Sequence, residues 1–298
     1  MIPTLALANG VNAQLITNVI NEYDQGYHLA FTAANSLARR WIADRQDAPV
    51  IEALAPTLRW ALWSMGATGA PQDGPAVTDA PRIARALGDR AMAFWLRLVA
   101  QNGLALFEVA SDQPTIVWKE HDQKRALALA KASLQDGDAA TISDHQAVAL
   151  GLWHCCRMFA DECFYGTNQR LLFPLRALQM MTGIPAIPDQ HVRKGLTSAG
   201  ASGFTALEMT HHYQPSFTDS FGLLYQCAQF AAAPGWKVVA EGVDRSKFPG
   251  LRAHPARVLE ILLGTQGRKE RKLVEFQGWR DQWQVGFLGF AKVTYREG

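Results

Sequence analysis

Apolar residues recur at intervals of three and four along most of this chain, and that period commits it to helices. Val11, Leu15, Val19 and Ile20 share one face around residues 12–23. Leu29, Phe31, Leu37 and Trp41 serve residues 28–44, and Ile51, Leu54, Leu58 and Leu62 serve 50–64. The run RAMAFWLRLVAQ predicts another helix, stopped at Asn102-Gly103 because glycine accepts the left-handed backbone that ends helices. Further helices are expected at 122–134, 144–162, 219–233 and 255–264, the last with proline at a tolerated first-turn position. Residues 65–82, rich in Gly, Pro, Asp and Ala, read as a linker or long surface loop. The runs LALFEV (104–109) and TIVW (115–118) read as a β-hairpin, and alternation in the tail WQVGFLGFAKVTYR suggests a strand. The expectation is a mainly α protein with a minor β-hairpin.

Composition narrows the class. The 298 residues are 48% hydrophobic and 19% charged, which suits a folded globular chain. A net charge of +2 supplies no global field for polyanions, so nucleic-acid binding would rest on local clusters. No apolar run is long enough to span a membrane. The apolar start MIPTLALANGVNAQL has no basic residue before Arg39, unlike a secretory leader, so a cytoplasmic protein is expected. Cys155, Cys156 and Cys163 crowd one helical segment beside His154, with Cys227 apart, a poor disulfide framework. Buried free thiols explain them without a metal. No metal or cofactor is expected.

The informative stretch is residues 164–197, FYGTNQRLLFPLRALQMMTGIPAIPDQHVRKGLT. A buried helix runs into the turn Phe164-Tyr165-Gly166-Thr167-Asn168. A second helix carries Leu171, Leu172, Leu175, Leu178 and Met181 on its apolar side. An extended connection follows from Gly183 to Pro188, and Asp189 stands before the short helix QHVRKGL. Outward-pointing N–H groups at a helix start, with the dipole behind them, bind phosphate without side-chain charge. Gly166 and Asn168 tolerate the backbone such a turn needs, and Gln169 and Arg170 can add phosphate contacts. By its position alone, Asp189 is an N-cap.

This combination resembles the helix-hairpin-helix DNA glycosylases of the endonuclease III and adenine glycosylase group. Their hairpin, leucine-proline-glycine-valine-glycine, lies over residues 164–168. Their later Asp-x-His-(Val/Ile)-x-Arg is matched by Asp189, His191, Val192 and Arg193. Gly166 and Asp189 stand 23 residues apart, close to the family's usual spacing. Upstream, Leu98 to Asn102 looks like the family's leucine-rich helix ending in a Gln-containing loop. The resemblance covers roughly residues 86–200. This chain departs from the pattern at Asn168, in place of the second hairpin glycine, and at Pro174, expected to kink the second helix.

The resemblance implies two helical lobes with a cleft: residues 1–82 in a flanking lobe, 83–205 as the glycosylase-like core, and 206–298 completing the second lobe. It implies Asp189 as the catalytic carboxylate. DNA-backbone contacts would come from Gly166, Thr167, Asn168, Gln169, Arg170 and Arg193. Gln101 or Asn102 would be the wedge filling the gap left by a flipped base, and Trp153, Phe164 or Tyr165 would line the base pocket. The family's bifunctional members carry a lysine just after the hairpin. Here that position is Gln169 or Arg170, and arginine cannot form a Schiff base, so a monofunctional enzyme is expected. The four-cysteine iron–sulfur motif of some members is missing, since no cysteine follows Cys227. The expected partner is double-stranded DNA, bound by a monomer, with a damaged or modified base as target. A bulky phage-modified cytosine is one option, which would make the protein an antiviral defence. Two other readings stay open: a base-modifying transferase on a related helical scaffold, and a DNA-binding module without catalysis.

Overall fold

A computed structural model describes residues 4–43, 48–64, 80–108, 115–134, 142–163, 172–201, 215–269 and 271–278. Among them the helical period prevails. The helices are α1 (Ala13–Asn21), α2 (Gln25–Ala43), α3 (Ala48–Ser64), α4 (Ala80–Gly88), α5 (Arg90–Asn102) and α6 (Glu120–Ala132). They continue as α7 (Asp144–Cys163), α8 (Leu172–Thr182), α9 (Gln190–Ser198), α10 (Pro215–Ala232), α11 (Pro234–Gly242) and α12 (Pro255–Lys269). Four short strands make two antiparallel pairs: β1 (Thr4–Leu7) with β4 (Val274–Gln277), and β2 (Phe107–Glu108) with β3 (Thr115–Ile116). The mainly α class with a minor hairpin is therefore the fold class of the protein.

Several expectations need correction. Residues 103–106 form a 3-10 turn, and among the described residues the hairpin pairs Phe107 with Ile116 and Glu108 with Thr115. Residues 80–82, expected in the linker, are helical and belong to α4. Pro174 is the third described residue of α8, and the residues before the helix lie outside the described ones. Helix α11 and the β1–β4 pair had no expectation behind them. The turn at 164–168, with Gln169, Arg170 and Leu171, lies outside the described residues, as does the tail run.

Local chemistry sets the helix ends. The Asn12 side chain accepts from the Leu15 N–H and opens α1, and Asp89 accepts from the Met92 N–H and opens α5. Gly103, at φ 55°, closes α5 in a conformation that side chains with a Cβ resist. No helix among the described residues is long and apolar enough to cross a membrane.

The strand pair ties the two ends of the described chain together. Leu5 faces Phe276 and Leu7 faces Val274 across it, and the Ala8 N–H extends the contact to the Leu273 carbonyl. Among the described residues the buried apolar side chains form one continuous cluster from Leu5 to Val274.

Helices α9 and α12 approach until their backbones touch. A Cβ added at Gly195 would lie 2.0 Å from the Leu263 carbonyl oxygen, and one at Gly267 would lie 2.0 Å from the His191 carbonyl oxygen. Gln266, fully buried on α12, fastens the junction. Its Nε2 donates to the Gly195 carbonyl and the Ser198 hydroxyl, and its Oε1 accepts from the Leu273 and Val274 N–H groups. One amide thus satisfies backbone from α9 and from the start of β4. The close contact generates a direct prediction. Gly195→Ala or Gly267→Ala should destabilise the protein by about 1–3 kcal/mol or more through overpacking. Urea unfolding monitored by circular dichroism measures it, and Gly10→Ala, where nothing lies within 4 Å but φ is 82°, serves as a backbone-strain comparison.

Candidate active site

The segment between α8 and α9 is extended and buried, an expensive condition for backbone that forms no ladder. The sequence reduces the cost. Pro185 and Pro188 carry no N–H, which removes two donors. Gly183, at φ 82°, lets the chain turn out of α8, and its N–H returns to the Gln179 carbonyl. The Pro185 carbonyl accepts from Gln179 Nε2 at 2.8 Å, and the Ile184 carbonyl accepts from the Thr182 hydroxyl at 2.5 Å. The Ile187 N–H donates to Glu260 Oε2 at 3.3 Å. Gln179 and Glu260 therefore hold the extended segment that delivers Asp189.

Asp189 caps α9 with extended backbone, φ −65° and ψ 178°. Its Oδ1 accepts from the N–H groups of His191 and Val192, each at 2.9 Å. Its Oδ2 accepts from Arg176 Nη2 at 3.1 Å. The side chain keeps 27% of its surface exposed. An ionised carboxylate offers about four lone-pair sites, and three are taken. The fourth, on Oδ2, meets no donor of the described chain.

Behind Asp189 lies a buried ionic network. Glu260, 5% exposed, accepts on Oε1 from Arg257 Nη1 at 2.5 Å and from Arg176 Nη1. Its Oε2 accepts from Gln179 Nε2 at 2.5 Å and from the Ile187 N–H. Every acceptor site of this carboxylate is filled. Arg257, 1% exposed, also donates to the Tyr23 hydroxyl and lies over the Tyr23 and Phe31 rings at 5.2 and 5.7 Å. Two guanidiniums meet two carboxylates, so the charge balances. Burial pushes the Glu260 carboxyl up, but the Arg176 and Arg257 charges and the bonds from Gln179 and Arg176 outweigh it. The carboxyl ends below the usual glutamate range.

The other expected residues divide. Gln101 and Asn102 are exposed at the end of α5, and Asn102 Nδ2 donates back to the Leu98 carbonyl at 2.7 Å. Their exposure suits a wedge, and nothing ties them to Asp189. Trp153 is 1% exposed within α7, where it belongs to the buried apolar core. Phe164, Tyr165, Gly166, Thr167, Asn168, Gln169 and Arg170 lie outside the described residues. Arg193 is half-buried, with its Nε buried and unpartnered, and His191 Nδ1 is in the same condition. In the basic run at 268–272, Lys269 pairs with Glu22 at 2.5 Å and Lys272 with Glu275 at 2.7 Å, so part of its charge is already answered.

Cys155, Cys156 and Cys227 are free and buried, and no group of metal-ligating side chains occurs among the described residues. Burial pushes the Cys227 thiol up to about 12, far from thiolate chemistry. Asp89 joins its capping role to a 2.9 Å bond with His154 Nε2. That bond holds its carboxyl below the usual range, against the opposing effect of burial, with help from the Met92 N–H. Comparison with protein-family models, with curated proteins and with solved structures yields no match.

Sequence reasoning missed Arg176, Gln179, Arg257 and Glu260. Each pair stands three apart in an otherwise apolar helix, FPLRALQMM and PARVLEILLG, and a charged residue amid such a run is the available signal. Replacing Glu260 with Gln leaves two buried guanidiniums short of a counter-charge, so a loss of about 3–5 kcal/mol is expected in urea unfolding.

A histidine cluster borders the same helices. His254 packs edge-on against Phe31 at 5.0 Å, and its pKa falls to about 4 through burial and the charges of Arg39, His28 and Arg257. A histidine pKa lowered on folding means that the unfolded chain takes the proton first. Its contribution is therefore full above the usual histidine value of about 6.5 and is lost as pH falls toward 4. His254→Gln should flatten the decline of the urea midpoint between those limits, measured against wild type.

Proposed function

We propose that the protein is a monofunctional DNA glycosylase that hydrolyses the sugar–base bond of a flipped damaged or modified nucleotide, with Asp189 as the catalytic carboxylate. The observation that carries this reading is the Asp189 carboxylate itself. It arrives on a buried extended segment after α8, caps α9, and keeps one acceptor site open on a partly exposed side chain. The order of helix α8, extended strand and aspartate at the head of α9 is the one that the resemblance to helix-hairpin-helix glycosylases implies. A carboxylate so held suits this chemistry. Breaking the N-glycosidic bond builds positive charge on the deoxyribose, and a preorganised anion stabilises it or takes a proton from the attacking water. Flipping the base costs a few kcal/mol, which DNA-backbone contacts must offset. The exposed Gln101 and Asn102 fit the part of a wedge.

The products distinguish this reading from a transferase or a binding module. Purified protein incubated with duplexes carrying normal, oxidised, alkylated and glucosylated hydroxymethylated bases should release one class of free base, identified by mass spectrometry, and leave abasic sites. Release confined to small damaged bases would set aside the phage-defence option. Asp189→Asn preserves an N-cap of equal rank, so it should abolish release while DNA binding persists. A variant that loses only stability would reduce Asp189 to a cap, and a base that gains mass without leaving its sugar would favour the transferase.

A further inference from the structure

A catalytic carboxylate must present its free oxygen in one direction. Asp189 does not set that direction by itself, because rotation about its last torsion is broad and roughly two-fold. The Oδ1 bonds to two α9 amides fix one oxygen. What fixes the other is Arg176. Its guanidinium is itself immobile: it is 7% exposed, Nη1 donates to Glu260 Oε1 and to Gln179 Oε1, the latter at 3.1 Å, and Nη2 is left for Asp189 Oδ2 at 3.1 Å. Glu260 is anchored in turn by Arg257 and by the Ile187 N–H, two residues before Asp189. The planar fork thus transmits the geometry of α12 to the carboxylate at the head of α9.

We propose that Arg176, locked by Glu260, is the positioning residue that holds Asp189 with a single open acceptor site on Oδ2. This rests on the catalytic reading of Asp189. The charge balance belongs to the same device. Glu260 answers the buried Arg257 and shares Arg176, so the Arg176 charge is not left for Asp189 alone to neutralise. Lysine at position 176 would keep the buried charge beside Glu260, yet its single nitrogen lacks the rigid planar fork by which Nη1 and Nη2 hold Glu260 and Asp189 separately.

A test needs no knowledge of the target base. Wild type, Arg176→Lys and Asp189→Asn are titrated with two duplexes, one holding a cationic pyrrolidine in place of a nucleotide sugar and one holding neutral tetrahydrofuran. Resemblance to the oxocarbenium-like state makes the pyrrolidine duplex the tighter ligand wherever a positioned carboxylate meets it. Wild type should prefer the cationic duplex, and Asp189→Asn should lose that preference. Arg176→Lys should reduce it about 10-fold, the worth of a hydrogen bond to a charged group, with tetrahydrofuran binding unchanged. A purely structural role for Arg176 weakens both duplexes alike. A thermal melt of Arg176→Lys accompanies the titration, so that a folding defect shows as a lowered transition and loss of binding to both. Preference in wild type that survives undiminished in folded Arg176→Lys overturns the positioning role and leaves the Asp189 reading standing. Arg176→Lys that binds neither duplex overturns it too, because its effect is then structural. Absence of any preference in wild type removes the Asp189 reading, and the positioning role falls with it.

Discussion

Glu260 is the group on which the interior depends. A carboxylate buried this deeply costs several kcal/mol in lost hydration, and only full compensation makes it tolerable. Two guanidiniums, one amide and one backbone N–H supply that compensation. They come from α8, α12 and the strand between α8 and α9, while Arg257 reaches on to Tyr23 just after α1. A single acceptor thus coordinates segments that stand far apart in the chain. An apolar residue of equal volume would pack these helices as well, but it would not specify their rotation and register.

The neighbouring contact between α9 and α12 works by the opposite means. There the helices approach through absent side chains, at Gly195 and Gly267, and one buried amide, Gln266, closes the remaining backbone groups. The two devices cooperate. Glycine contacts set how near α9 lies to α12, and the Glu260–Arg176 link sets how its first turn is oriented. Asp189 sits where both constraints meet, as an N-cap whose second oxygen is also held. Two rigid helices and an ionic brace are what a carboxylate needs if its geometry is to be reproducible within a fraction of an ångström.

Much of the helical plan was legible in the primary structure. Apolar spacing located α1, α2, α3, α5, α7 and α12, because an amphipathic stripe records which face will be buried. Asn102-Gly103 marked the end of α5, and Gly183 to Pro188 read as extended because proline and glycine act locally. Strands β1 and β4 were not legible. Each is four residues long, and their pairing joins opposite ends of the chain, which no local pattern encodes.

The site divides along the same line. Sequence alone determined that an aspartate would precede a short helix after an extended, proline-bearing strand, because capping, proline geometry and helical period are properties of neighbouring residues. It also determined that the basic run at 268–272 would be charged, but not that Lys269 and Lys272 would already hold Glu22 and Glu275. Only the tertiary structure decided that Trp153 is core, and that Arg176 and Glu260, 84 residues apart, meet behind Asp189. The physical reason is that a buried ion pair is a solution to a three-dimensional problem. Each charged residue in an apolar helix announces that a partner is required, and only the packed fold says which one it is.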